Sequence, residues 1–171
     1  MEKIKFELSE GDLGWLAGMV DGEGSIGIHL LKDTTKYGKK SLRHRLSLAV
    51  INTNKEAVLL IQSWIGGSLQ RRKLHEKNPN HQDVYRLRLE GETAIKAIER
   101  IYPYLRIKKA QAIIALEFAR TLRSVRGNTR RPIEREVFNY RHNLYELTMG
   151  LNRQNRYCAQ RGVMPNAINK V

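Results

Sequence analysis

Two carboxylates, Asp21 and Glu23, lie two residues apart in the stretch LAGMVDGEGS, residues 16 to 25. They fall where an apolar helical pattern runs out. The last turn of a helix exposes unpaired carbonyls and the negative end of the macrodipole, so an acid is poorly placed there. Hard oxygens gathered at one spot suit a divalent cation, since Mg²⁺ accepts carboxylate, carbonyl and water ligands. A cation set against phosphates points to phosphodiester hydrolysis. Alone the pair is a weak signal, because Asp-Gly and Glu-Gly are common turn formers. An EF-hand loop is excluded: Ile26 stands where its glycine belongs, and Lys32 where its bidentate Glu belongs.

The elements around these acids can be read from the pattern. Ser9 and Asp12 form a capping box that opens a helix through Leu13, Leu16, Ala17 and Val20, with Gly24 as a left-handed stop. Residues 25 to 33 and 41 to 51 alternate as two strands around a Lys- and Gly-rich turn. A second capping box, Thr53 with Glu56, opens a helix that ends at Gly66-Gly67. The segment SLQRRKL and the cleaner alternation around Tyr85, Leu87 and Leu89 give strands three and four. A short helix over 92 to 102 stops at Pro103, and two more follow over 107 to 124 and 133 to 149. The expected fold is α+β, with order αββαββα, an antiparallel four-stranded sheet, helices on one face and additional C-terminal helices. One domain spans 1–150, and 151–171 reads as a basic, aperiodic tail.

Charge narrows the partners. The 171 residues carry 31 Lys and Arg against 17 Asp and Glu, a net +14 that favours nucleic acid over an anionic membrane. No apolar run reaches membrane-spanning length, the N-terminus has no signal-peptide core, and Cys158 stands alone. The expected setting is intracellular, cytoplasmic or organellar. Between residues 36 and 90 there are 12 basic and 4 acidic residues, and strand parity puts many of them on one face. His29, Arg43, Arg45, Ser47, Gln70, Arg72, Arg86 and Arg88 emerge together there, residue types that reach bases and phosphates. A merely solvated basic sheet is the plainer alternative.

Gly14, Gly18 and Gly22 recur every four residues, so they line one helix face and admit a close neighbour. That neighbour is either part of the same domain or the same helix from a second copy, related by a two-fold axis. In the second case Asp21 and Glu23 of both copies approach one axis.

Residues 16 to 24, LAGMVDGEG, resemble the motif of LAGLIDADG homing endonucleases, single-motif homodimeric type. RLSLAVINTNKEA resembles that family's second strand leading into its next helix, and YPYLRIKKAQA its lysine-bearing segment. The resemblance covers roughly residues 10 to 120. It implies a homodimer, with Gly14, Gly18 and Asp21 at the helix interface and double-stranded DNA as partner. The implied activity is metal-dependent cleavage of a long, nearly palindromic site, with Mg²⁺ as cofactor and Mn²⁺ able to substitute. Glu23 takes the place of the family's metal-binding acid, and Gly22 adds its backbone carbonyl. Asp21 takes the place of the acid that caps and braces the paired helices. Lys108 matches the active-site lysine, and Asn54 the position of a solvent-orienting glutamine, although helix capping explains Asn54 equally well. Val58 departs from the basic residue that some relatives carry. Homing proteins are encoded in introns or inteins, and as an isolated compact chain this one resembles the intron-encoded kind.

Two rival readings come from other functional classes. One is an RNA-binding maturase that takes host intron RNA with the same fold; the other is a catalytically inactive DNA-binding regulator. Glu23 at a crowded helix end favours the nuclease, because a pure binder has no need of it. Among the remaining polar residues, His44 lies on the apolar parity of its strand and reads as core or rim. His75, His81, Arg153, Arg156 and Arg161 read as loop or tail contacts to phosphate or solvent.

Overall fold

The computed structural model describes residues 8–34, 40–74, 76, 80–124 and 133–161. The RGNTRRP loop at 126–132, His75 and the last ten residues lie outside that set. Helix α1 (Glu10–Glu23) starts with the expected capping box: the Ser9 hydroxyl accepts from the Asp12 N–H at 3.2 Å, and the Asp12 carboxylate accepts from the Ser9 N–H at 3.1 Å. Strands β1 (Gly24–Thr34) and β2 (Lys40–Asn52) follow, then helix α2 (Lys55–Ile65). Strands β3 (Ser68–Arg72) and β4 (Val84–Glu90) complete an all-antiparallel sheet in the order β1-β2-β4-β3. Helix α3 (Gly91–Ile101), a 3₁₀ turn at Tyr102–Tyr104, helix α4 (Lys109–Ser124) and helix α5 (Arg135–Arg161) close the chain.

Strand alternation sorts the sheet into two faces. Ile26, Ile28, Leu46, Leu48, Val50, Leu87 and Leu89 are buried on one face. Against them pack Leu16, Ala17 and Val20 of α1, Val58 and Ile61 of α2, Ile95 and Ile98 of α3, and Phe118 of α4. Val58, the departure from the family's basic residue, is therefore a core side chain. No helix among the described residues is long and apolar enough to cross a membrane.

Three local expectations are corrected. Gly24 is not a left-handed stop: its φ is −99°. A Cβ there would lie 2.7 Å from the Val20 Cα and carbonyl and 3.1 Å from the Ala49 carbonyl, so glycine is required by close backbone approach. The cap of α2 is Asn54, not Thr53; its side-chain oxygen accepts from the Ala57 N–H at 3.0 Å. Among the described residues the glycines with positive φ are Gly66 and Gly67, which end α2, and Gly91, which starts α3. Finally, residues 151–161 continue α5 rather than beginning a tail. A helix already anchored by packing extends at little cost, and Asn152 ties this stretch down by donating to the Ile26 carbonyl at 3.1 Å. Strand β1 is a sheet edge, so this contact also covers an otherwise open backbone group.

Candidate active site and nucleic-acid face

The acids at the end of α1 part company. Asp21 is buried, and its carboxylate accepts three backbone N–H groups from the turn before α4: Arg106 at 2.7 Å, Ile107 at 3.2 Å and Lys108 at 2.8 Å. Lys108 is buried as well, and its ammonium donates to the Asp21 carbonyl. The two residues thus form a reciprocal clasp. The carboxylate receives N–H groups in place of water, and the exposed carbonyl end of α1 receives a cation. This is what makes an acid tolerable at that end. Burial pushes the Lys108 ammonium below the usual lysine range, while Asp21 and then Glu23 oppose the shift.

The Asp21 carboxylate is taken up by main-chain groups of its own chain. Glu23 is exposed and makes no hydrogen bond with the described residues. Among the described residues no three His, Cys, Asp or Glu side chains converge into a ready metal cage. A free carboxylate beside the exposed Gly22, at the carbonyl end of a helix, does fit one share of an oxygen-ligated Mg²⁺ site.

Gly14, Gly18 and Gly22 leave open space: among the described residues, a Cβ at any of them meets nothing within 4 Å. The described residues therefore do not pack on the glycine row. Beside it Trp15 is 40% exposed and meets Trp64 of α2 edge-on, with ring centroids 5.5 Å apart.

Strand register puts all eight of the polar candidates on the sheet face away from the helices. His29 is opposite Arg45, Ser47 is opposite both Gly27 and Glu90, Arg88 opposes Ala49 and Ser68, and Arg86 opposes Ile51 and Gln70. Arg43 faces Leu31, and Arg72 faces Val84. The His29 ring and the Ser47 hydroxyl are 2.8 Å apart. Burial lowers the His29 pKa from its ordinary value, and Arg88 and Arg86 add to the shift. The Nε atoms of Arg86 and Arg88 are buried and lack a hydrogen-bond partner among the described residues.

Sequence reasoning passed over Glu90. It sits on the basic face with Arg45 at 2.6 Å and Arg88 at 2.9 Å. Its parity with Arg86 and Arg88 was the available signal. Asn54 acts as a helix cap in this structure, using its side-chain oxygen. His44 lies in a cluster with Phe138, His142 and Tyr145 of α5, its Nε2 3.3 Å from His142 Nδ1. His81 is exposed, as is Arg153 on α5.

An α+β sheet with one basic face, carried behind a helix that ends in DGEG, defines a class, and comparison with known proteins agrees. The family model described as LAGLIDADG endonuclease matches residues 16–113, more than half of the chain, and the protein belongs to that family. DNA endonuclease I-CvuI of Chlorella vulgaris is 27% identical over 109 residues, 63% of this chain and 63% of that relative. The matched region thus spans under two thirds of the relative's length. The crystal structure of I-CvuI in complex with its target, in the presence of 2 mM Ca, superposes with a TM-score of 0.63 at 26% identity, covering 81% of this chain and 80% of that one. The archaeal intron-encoded homing endonuclease I-Vdi141I, complexed with DNA, has the same TM-score at 16% identity, covering 83% and 84%, which is a likeness of fold.

Proposed function

We propose that this protein is a site-specific double-strand DNA endonuclease that acts as a homodimer with a divalent cation. The observation that carries the reading is the division between the two acids of α1. Asp21 is spent on three backbone N–H groups, whereas Glu23 is left exposed and uncommitted. Apart from the attraction of the nearby Lys108 ammonium, Glu23 has no partner among the described residues at the carbonyl end of a helix, where an acid is electrostatically disfavoured. A divalent cation removes that penalty.

The cation would be held by Glu23 and the Gly22 carbonyl, with Mg²⁺ the natural choice for such oxygens and Mn²⁺ a substitute. When bound, it supplies positive charge where negative charge develops on phosphate oxygens. The chain's own groups arrange the rest. The clasp fixes the end of α1, and Lys108 adds charge beside it. The eight polar residues of the sheet face track the major groove. One carboxylate makes a poor site, and a second copy docked along the open glycine row would bring another. I-CvuI, crystallised in complex with its target, supports the same reading.

The test is cleavage of a randomised, nearly palindromic DNA library with Mg²⁺ and then with EDTA, beside Glu23→Gln. Metal-dependent cutting at one selected sequence is expected, lost in the variant while binding persists. Selective binding without cutting would make the protein a regulator. A folded dimer that selects no DNA would direct attention to intron RNA.

A further inference from the structure

Glu90 is an acid on a face otherwise built for phosphate, and nothing said so far gives it a task. It ends β4 opposite Ser47. One of its carboxylate oxygens takes Nη1 of Arg45 and the other takes Nη2 of Arg88. All three side chains are about a third exposed, and ion pairs that meet solvent contribute little to stability. Stability therefore does not explain the residue. Attraction to phosphate does not explain it either, because Glu90 cancels one positive charge on a surface where nonspecific DNA binding grows with the number of phosphates neutralised.

What the carboxylate does supply is direction. An arginine reads guanine by presenting two N–H groups of a planar fork to O6 and N7, a geometry lost when the side chain swings. Glu90 engages only one terminal nitrogen of each guanidinium. The other terminal nitrogen of each guanidinium is left for a base edge, whereas the Nε of Arg88 is buried. Arg45 is further confined by its row, because its cross-strand neighbour His29 is bonded to Ser47. Arg45 and Arg88 come from strands that are neighbours in the sheet, so one carboxylate sets the orientation of two forks at once.

Resting on the endonuclease reading above, we propose that Glu90 is a positioning residue for base recognition. It holds Arg45 and Arg88 as oriented forks for guanine edges in the major groove, and it weakens nonspecific phosphate attraction while sharpening sequence discrimination.

The experiment compares wild type, Glu90→Gln and Glu90→Asp in two assays. One is the base-preference profile recovered from a randomised DNA library; the other is the salt dependence of binding to random-sequence duplex. In Glu90→Gln, guanine preference should fall roughly tenfold at the base pairs under the two arginines, the scale of one lost base contact. Preferences elsewhere in the site should hold. Binding to random duplex should tighten at low salt, with a log–log salt slope steeper by about one. Glu90→Asp should restore part of the profile, and the melting temperature of both variants should stay near wild type. Glu90 is overturned alone if the wild type selects a site and Glu90→Gln selects the same site with the same slope. It is also overturned if the profile flattens uniformly together with a lower melting temperature, which is a structural effect. A wild-type protein that selects no DNA sequence overturns the endonuclease reading itself, and Glu90's role with it.

Discussion

The carbonyl end of α1 and the open face of the sheet both gather charge, and they hold it in opposite ways. At the end of α1 the main chain does the holding: Asp21 is fixed by three N–H groups and Lys108 by a carbonyl. On the sheet, side chains hold one another: Glu90 bridges Arg45 and Arg88, and His29 meets Ser47. Backbone partners leave little freedom, which suits a place where small displacements cost rate. Side-chain partners can be exchanged one at a time, which suits the proposed task of choosing among DNA sequences. On that proposal the division separates placement for chemistry from adjustable recognition.

Substitutions at the end of α1 test that division most severely. Glu23→Gln should lower cleavage by at least about a hundredfold, as loss of a metal ligand does, yet leave the melting temperature near wild type. Asp21→Ala should do the reverse in kind. Orphaning three N–H groups and removing the carboxylate charge beside the Lys108 ammonium, which keeps its bond to the main-chain carbonyl, should cost on the order of 3–5 kcal/mol, measured by urea unfolding. If both variants lose stability equally, the contrast between the two acids fails. Lys108→Met keeps volume but takes the cation from the Asp21 carbonyl and carboxylate, so it should cost about 1–3 kcal/mol and reduce cleavage by about tenfold to a hundredfold beyond the loss of folded protein. A drop in stability with cleavage per folded molecule unchanged would make Lys108 a structural clamp only.

Smaller effects sharpen the picture. Asn54→Ala should cost about 1 kcal/mol, the value of a helix cap, with cleavage nearly unchanged. A fall in cleavage beyond tenfold, after correction for folding, would restore Asn54 as an orienter of solvent. The smallest effect concerns pH. Burial, then His142, then Arg141 lower the His44 pKa below 6.5, and His142 in turn faces Glu146 at 3.8 Å. The unfolded chain therefore takes up this proton first. The contribution of His44 is fully present above pH 6.5 and is lost as the pH falls through that value toward the folded pKa. Melting temperature should drop between pH 7 and pH 5, and His44→Gln should flatten part of that drop.

Much of this was legible in the sequence, and what was not has physical causes. Strand parity alone gave the polar face, because a period of two allows no other arrangement once one side is apolar. The Ser9 box was legible because its partners are three residues apart. The clasp was not, since Asp21 meets groups 85 to 87 residues away and no local pattern encodes such a meeting. Gly24 misled because a glycine after a helix suggests a left-handed cap, whereas here the missing Cβ makes room for two backbone segments. Thr53 and Asn54 are adjacent residues of similar capping ability, so pattern could not choose between them. The polar end of α5 hid its helix because it owes its conformation to the anchored turns before it.

The clasp also sets a condition on when the proposed activity can arise. Residues 106 to 108 are made long after α1 leaves the ribosome, and the end of α1 has its mature form only once they have folded back onto it. A nascent chain, or one terminated by a premature stop before Arg106, carries the whole DGEG stretch and most of the basic sheet without the fixture that orients them. Such fragments could cling to DNA but would not be assembled to cut it, so the hazard to the host genome would begin only once synthesis has passed Lys108.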